Sequence, residues 1–177
     1  LKLRIDIPVI KEALKKFGGI QRRFEFKGEA EEIRVFDDYG HHPTEIKATL
    51  KAAKEGLYIR SQESPFSIQE AGRLFVLFQP HRYTRTRDLM DEFASSFKDA
   101  DFLILLDVYP AGEKPIEGIN SATLFEKIKK NGRNNALYVK DKDEAIMYII
   151  SNLRKDDLLL TLGAGDVWKI GDEILRR

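Results

Sequence analysis

The sequence predicts an α/β fold in which a mostly parallel sheet is covered by helices on both faces. The main observation is that strand-sized apolar runs alternate with helical patterns from residue 43 onward, an order typical of parallel strands joined by crossover helices. A second observation is the apolar run 102–106, which opens a predicted strand at 102–108 and implies burial on both faces. At 177 residues the chain suffices for one compact domain that buries roughly 70% of its unfolded surface.

Two elements are predicted before this alternation begins. Residues 6–17 carry apolar side chains at the spacing of one helical face, with Asp6 placed to cap the helix and Gly18 to end it. Two apolar-rich runs at 23–26 and 33–36, with KGEAEE between them, are typical of a hairpin. We therefore expect an antiparallel strand or hairpin near the N-terminal edge of the sheet.

From residue 43 the predicted elements follow one another regularly. Pro43 suits the first turn of a helix that Gly56 is expected to close, and the polar segment 57–73 is predicted as a loop or a broken helix. The remaining elements are strand 74–78, helix 86–98, strand 102–108, helix 121–130, strand 136–139, helix 144–154, strand 158–162 and a last helix from residue 166.

Composition and charge exclude several classes of function. Thirty Lys and Arg stand against 29 Asp and Glu, which is not the basic balance of a sequence-independent nucleic-acid binder. The absence of Cys excludes disulfides and thiolate chemistry and fits a reducing, cytoplasmic location. No apolar run approaches the ~18 residues that cross a bilayer, so we expect no membrane partner. The first residue is Leu, and LKLRIDIP has no signal-peptide pattern, so we expect a piece of a larger protein.

Sites in such folds collect beyond the carboxyl ends of the strands. Three strand exits therefore matter here, namely residues 37–43, 79–87 and 109–115. All three histidines fall in the first two. We expect the chemistry of this domain to lie in these loops.

The first exit, DDYGHHPTE, concentrates carboxylates and histidines within nine residues. Its spacing is not that of HExxH or of another helical pair of metal ligands, so no metal site is predicted. In the simpler interpretation, Asp37 or Asp38 accepts hydrogen bonds from loop amides while His42 caps the next helix through its ring. In the sharper interpretation, a carboxylate at the strand tip accepts hydrogen bonds from ribose hydroxyls.

The second exit, QPHRYTRTRD, is strongly basic. Its cluster consists of His81, Arg82, Arg85 and Arg87. Thr84 or Thr86 is available as the cap of the following helix. Guanidinium groups hold carboxylate or phosphate with two donors, and cations at a helix N-terminus are unfavourable until an anion arrives, so the cluster favours an anionic ligand. The alternative is a solvated turn paired with Asp88, Asp91 or Glu92.

The segment TLGAGDVW places Gly163 and Gly165 between a strand and a helix. Because the third glycine of GxGxxG is missing, we interpret it as a tight turn more than as a phosphate cradle. No GxxxxGK[ST] loop occurs in the chain. Any ATP would need its phosphates cradled by another part of the protein.

Five segments in order carry a family resemblance: GIQRRFEFKG, VFDDYGHHPTEI, LFQPHRYTRTRDLMDEF, LLDVYPAGEKPIEGI and LTLGAGDVW. Together they resemble the carboxyl-terminal domain of the Mur ligases of peptidoglycan synthesis, in the branch that joins L-alanine to UDP-N-acetylmuramate. The resemblance implies that residues 18–177 form a Rossmann-like domain and that residues 1–17 are the helical tail of a central ATPase domain or a linker. It also implies ATP as a substrate and Mg²⁺ held by residues outside this chain.

The resemblance further implies a reaction and a set of binding residues. The muramate carboxylate is activated by ATP as an acyl phosphate, which the amino group of L-alanine attacks to form an amide. Arg23 would contact ATP phosphate and Asp38 the ribose. Five residues would surround L-alanine, with Arg82 or Arg85 clamping its carboxylate: Tyr39, His41, His81, Arg82 and Arg85. No residue is assigned a catalytic step. The competing hypothesis is a non-catalytic α/β module that binds an anion or a nucleotide.

Overall fold

The structure is a computed structural model that describes residues 5–16, 20–63 and 72–177. Its strands are β1 (Glu25–Ala30), β2 (Ile33–Asp38), β3 (Leu74–Phe78), β4 (Phe102–Leu105), β5 (Ala136–Tyr138) and β6 (Leu158–Leu162). Its helices are α1 (Ile7–Lys16), α2 (Pro43–Glu63), α3 (Tyr83–Asp88), α4 (Met90–Ala94), α5 (Ser121–Lys130), α6 (Lys142–Asn152) and α7 (Trp168–Ile174).

The six strands form one sheet in the order β1-β2-β6-β3-β4-β5. The β1–β2 pair at the edge is antiparallel, and all other neighbouring pairs are parallel. Helices α2, α4 and α5 cover one face of the sheet, and α6 and α7 cover the other. The predicted fold class is therefore confirmed, including the hairpin at the N-terminal edge.

The central strands are apolar because both of their faces are covered. Every residue of β3 and β6 is buried. In and just after β4, Leu103 and Leu105 join the core under α2 and α5, whereas Ile104 and Leu106 join the core under α6. Alternate residues of a strand point to opposite faces, so a continuous apolar run is what a sheet between two helical layers requires.

The hairpin exists, but the predicted boundaries of its first strand are wrong. β1 starts at Glu25 and runs to Ala30, so most of KGEAEE is strand rather than connection. The turn is only Glu31 and Glu32, whose φ angles of 50° and 63° are both left-handed, as a two-residue hairpin turn requires. Register shifts between Phe26 and Gly28, a bulge that hides the alternation expected of a strand.

Gly56 does not end α2, which continues to Glu63. A Cβ atom at Gly56 would meet nothing within 4 Å, and a glycine on an exposed helical face costs only about 1 kcal/mol relative to alanine. Leu57 is buried beside Ala53 and keeps the apolar stripe going. The polar segment 57–73 is thus helical up to residue 63, and residues 64–71 lie outside the described residues.

The helix predicted at 86–98 is two short helices, α3 and α4, that meet at Leu89, whose φ of −120° is not helical. Because α3 begins at Tyr83, its N-cap is Arg82, and neither Thr84 nor Thr86 caps it. The Thr86 hydroxyl instead donates to the Arg82 carbonyl at 2.8 Å. Other element ends, including those of β4, α6 and α7, differ from the prediction by two or three residues.

Helix α1 forms as predicted, with the Asp6 carbonyl accepting from the amides of Val9 and Ile10. Phe17 and Gly18 lie outside the described residues. All described side chains of α1 are exposed, including Ile7 and Ile10. None of the helices in residues 5–16, 20–63 and 72–177 combines the length and apolar character that a membrane crossing needs.

Candidate functional site

The carboxyl ends of β2, β6, β3 and β4 lie side by side because these strands are consecutive in the sheet. Backbone hydrogen bonds join the loops that follow them. The Gly163 amide donates to the Asp38 carbonyl at 3.0 Å, and the Tyr109 amide donates to the Pro80 carbonyl at 2.8 Å. The three strand exits singled out from the sequence therefore form one surface.

Four aromatic rings follow one another across this surface, each in contact with the next, and we call them the ring row: Tyr39, His41, His81 and Tyr109. The Tyr39 and His41 rings meet edge to face with centroids 5.2 Å apart. The His41 and His81 centroids are 6.0 Å apart, and His81 stacks on Tyr109 at 5.6 Å with an interplanar angle of 8°. Three of these rings belong to predicted substrate-binding residues, and Tyr109 was not predicted. The row links the loops that follow β2, β3 and β4.

Arginines stand near both ends of the ring row. The guanidinium carbons of Arg22 and Arg23 lie 4.9 and 5.9 Å from the centroid of the Tyr39 ring. Near the other end, Arg85 Nη1 lies 3.2 Å from His81 Nδ1 and 3.4 Å from the His81 carbonyl oxygen. The structure thus brings five predicted site residues together in one series of neighbouring side chains: Arg23, Tyr39, His41, His81 and Arg85.

Asp38 is buried beneath this surface, with 5% of its area exposed. Its Oδ2 accepts from the Phe24 amide at 2.8 Å, and its Oδ1 accepts from the Gly40 amide at 2.7 Å and from the Thr49 hydroxyl at 3.3 Å. These bonds confirm that Asp38 accepts from loop amides. A carboxylate offers about four lone-pair positions, so Oδ2 keeps capacity for one further donor.

Arg23 is half exposed, and its guanidinium lies 3.6 Å from Glu45 Oε1. Glu45 also accepts from the amides of His41 and His42 at 3.0 and 3.2 Å. Burial would raise the pKa of Glu45, but these hydrogen bonds and the charges of His41 and Arg23 lower it overall. His42 Nδ1 accepts from the Thr44 amide at 3.3 Å, which confirms that His42 caps α2 through its ring.

Arg22 is a site residue that the sequence did not reveal. Its Nε donates to Asp37 Oδ2 at 2.9 Å and its Nη2 donates to the Gly163 carbonyl at 2.5 Å. Thr161 donates to the other oxygen of Asp37 at 2.7 Å. Burial raises the pKa of Asp37, although Thr161 and Arg22 oppose that shift. One arginine of RR and one aspartate of DD, Arg22 and Asp37, form this buried ion pair. The sequence alone does not indicate which member of each pair takes this role.

The basic turn after β3 is partly neutralised from the neighbouring exit. Glu113 accepts from the Thr84 amide at 3.0 Å and from its hydroxyl at 2.7 Å. Arg87 pairs with Asp88 at 2.7 Å, as the alternative interpretation of the cluster expected. Within the part of the chain that the structure describes, Arg82 and Arg85 form no ion pair. Arg82 is exposed and Arg85 is partly buried, so donors of both guanidinium groups remain available to an anion.

His81 is the most perturbed group of the ring row. Burial, together with the positive charges of Arg85, His41 and Arg82, lowers its pKa to about 4, against a smaller opposing effect of Glu113. His81 is therefore a neutral imidazole at physiological pH. In residues 5–16, 20–63 and 72–177, no group of three or more His, Asp and Glu side chains is placed to hold a metal ion.

The two glycines after β6 permit the close packing of these loops. Gly163 has a φ of 144°, and a Cβ atom there would lie 2.6 Å from the Gln79 carbonyl oxygen. A Cβ atom at Gly165 would lie 2.8 Å from Cγ of Tyr109. Both glycines thus serve the tight turn predicted for TLGAGDVW, and they let Tyr109 approach the β6 exit.

Comparison with known proteins identifies this arrangement. The family model described as "Mur ligase, glutamate ligase domain" matches residues 22–165, which is most of the chain and includes the whole ring row. The chain belongs to the Mur ligase family. Relatives within this family include the UDP-N-acetylmuramate--L-alanine ligases of Geobacter sp. (strain M21), 47% identical over 99% of the chain, and of Koribacter versatilis, 49% identical over 98%.

Solved structures of Mur ligases agree with the sequence comparison. The UDP-N-acetylmuramate-alanine ligase of Thermotoga maritima is similar over 98% of this chain and 33% of its own, with a TM-score of 0.75 and 26% identity. This chain spans about a third of the length of its curated relatives, 36% for the Geobacter protein and 35% for the Koribacter protein. It corresponds to the carboxyl-terminal Mur ligase domain.

Proposed function

We propose that this chain is the carboxyl-terminal domain of an ATP-dependent ligase that joins L-alanine to UDP-N-acetylmuramate in peptidoglycan synthesis. The observation that carries the proposal is that one ring row connects the predicted nucleotide residue Arg23 to the predicted amino-acid residue Arg85. The identity of 47% to a ligase of this specificity supports the same substrates.

The amino-acid end of the site is the region of His81, Arg82 and Arg85. L-alanine offers only a methyl group for burial, so a charge-assisted clamp on its carboxylate must supply most of its orientation. Arg82 and Arg85, which form no ion pair among the described residues, have the charge for that clamp. Tyr39 and His41 continue the same surface toward the nucleotide end and would line the other side of the amino acid.

The nucleotide end is the region of Arg23 and Asp38. The guanidinium of Arg23 is half exposed and fits phosphate oxygens. Asp38 fits a ribose hydroxyl through the remaining lone pair of Oδ2. ATP supplies the phosphoryl group that activates the muramate carboxylate, with Mg²⁺ held by residues outside this chain.

The contribution of the domain to the reaction is positioning. A bound amine held near an activated carbonyl gains effective concentration, and the arginines stabilise the charge that develops when the amine attacks and phosphate leaves. Since no phosphate loop of the Walker type occurs in the sequence, the domain must close on a preceding domain to complete the site. We expect a cytoplasmic location, as for the nucleotide substrates.

A chimera tests the proposal. This chain replaces the matching carboxyl-terminal third of the Geobacter sp. (strain M21) relative, and phosphate release is measured with ATP, UDP-N-acetylmuramate and L-alanine. We expect turnover that requires all three substrates, and none from the 177-residue chain alone. A folded chimera without L-alanine-dependent turnover would contradict the proposal and favour a non-catalytic anion- or nucleotide-binding module.

A further inference from the structure

The hydrogen bonds of the two ring-row histidines fix which ring nitrogen carries the proton in each neutral side chain. A neutral imidazole has one N–H donor and one acceptor nitrogen, and the partner of one nitrogen decides the state of the other. His41 and His81 have partners of opposite kinds. Their free nitrogens must therefore differ as well.

His41 Nδ1 faces two acceptors. The carbonyl oxygen of Tyr39 lies 3.0 Å away, and Glu45 Oε2 lies 3.7 Å away. A carbonyl and a carboxylate accept hydrogen bonds but cannot donate them, so Nδ1 must carry the proton. In the neutral side chain, Nε2 of His41 is then an acceptor, and no described residue donates a hydrogen bond to it.

His81 Nδ1 faces a donor. Arg85 Nη1 lies 3.2 Å away, and a guanidinium group in a protein is always charged and only donates. Nδ1 must therefore be the acceptor, and Nε2 of neutral His81 carries the proton. No described residue forms a hydrogen bond with this Nε2–H group, so it is available as a donor.

We infer that Tyr39 and Arg85 hold His41 and His81 in opposite tautomers, which gives the site one acceptor nitrogen for an amino group and one N–H donor for a carboxylate. The ligand in this inference rests on the proposed function. The His41 and His81 rings are 6.0 Å apart between centroids, a span that the amino and carboxylate groups on one α-carbon can bridge. Arg85 and Arg82 add positive charge at the His81 end, whereas the charge of Arg23 near His41 is paired with Glu45. Arg85 is thus a positioning residue for His81 as well as a carboxylate ligand.

Nitrogen NMR of the chain labelled with ¹⁵N-histidine tests the tautomers without any ligand. Only three imidazoles are present, and H42Q removes the exposed one. At pH 8 we expect His41 as the Nδ1–H form, which free histidine disfavours, and His81 as the Nε2–H form. The same tautomer at both positions, or Nε2–H at His41, would overturn the inference.

Variants at two neighbouring arginines test the role of Arg85. R85M removes the donor to Nδ1 of His81, so that nitrogen becomes able to take a proton and the pKa of His81 should rise from about 4 toward its ordinary value. R87M is the matched control, because Arg87 is exposed and forms an ion pair with its neighbour Asp88, and it should leave the His81 titration nearly unchanged. Equal titrations in R85M and the unmodified chain would contradict the positioning role.

Ligand fragments test separately which group of the amino acid each histidine binds, the amino group at His41 and the carboxylate at His81. Acetate should shift the His81 signals, ethylammonium the His41 signals, and L-alanine both. If acetate shifts the His41 signals instead, the assignment of the carboxylate to His81 is wrong even if L-alanine binds. If L-alanine shifts neither residue in the chain and also supports no turnover in the chimera, while the opposite tautomers are observed, the proposed amino-acid function fails and the assignment of His41 and His81 to its two groups fails with it, but the tautomer assignment stands.

Discussion

The lowered pKa of His81 predicts that the stability of the domain depends on pH between about 4 and 6.5. In the folded chain, burial and the charges of Arg85, His41 and Arg82 keep His81 neutral down to about pH 4, against a smaller opposing effect of Glu113. In the unfolded chain its pKa returns to the ordinary value of 6.5. Below pH 6.5 the unfolded state therefore binds more protons, and the free energy of unfolding must fall as the pH falls.

The magnitude follows from these two pKa values. With 6.5 in the unfolded state and about 4 in the folded state, linkage gives a loss of about 2 kcal/mol between pH 7 and pH 5 from His81 alone. The loss is complete below about pH 4, where the folded state takes up the proton as well. For a domain whose stability is typically 5–15 kcal/mol, about 2 kcal/mol is readily measured.

The assay is urea unfolding of the chain at pH 7 and pH 5, followed by circular dichroism. Other groups that titrate in this range cancel when the pH-dependent change of H81Q is subtracted from that of the unmodified chain. H42Q, which removes an exposed histidine outside the ring row, is the control and should keep the loss attributed to His81. If H81Q loses as much stability between pH 7 and pH 5 as the unmodified chain, the burial and charge argument for His81 is refuted.

Three further predictions concern the scaffold of the site. D37A leaves Arg22 and Thr161 without their shared partner and should lower the free energy of unfolding by about 3 kcal/mol. D88A, at the exposed partner of Arg87, is the control. A similarly small effect of both variants in urea unfolding would contradict a stabilising role of the buried Arg22–Asp37 pair. G163A forces a side chain into a left-handed conformation against the Gln79 carbonyl and should cost about 2 kcal/mol or more in thermal unfolding, whereas G56A in open space should stabilise by up to about 1 kcal/mol; no loss in G163A would refute the close-packing argument. E113Q removes a negative charge that raises the pKa of His81, so the His81 titration followed by NMR should move lower, and an upward shift would contradict this assignment of charges.

The fold was predictable where apolar runs were long and both faces of the sheet were covered. Strands β3 and β6 match the predicted strands 74–78 and 158–162, because short apolar runs of five residues between polar segments favour strands that are buried on both faces. The errors lie where a local signal was overridden by packing. Gly56 suggested a helix end, but Leu57 gains its burial only if the helix continues.

The candidate site was predictable as a set of loops rather than as contacts. Chain order and the parallel sheet placed the exits that carry His41 and His81 at the same edge, because parallel strands end on the same side. The partners within the site were not predictable, since they depend on distances between loops far apart in sequence. The hydrogen bond from Arg22 to the Gly163 carbonyl is one example, and the hydrogen bond from the Thr84 amide to Glu113 is another.

The division of the site into a nucleotide end and an amino-acid end is tested most directly by steady-state kinetics of two chimera variants. R85M in the chimera with the Geobacter sp. (strain M21) relative should raise the KM for L-alanine strongly and leave the KM for ATP nearly unchanged, and R23M should do the reverse. Equal effects of either substitution on both KM values would contradict the central claim that the two ends of the ring row bind different substrates.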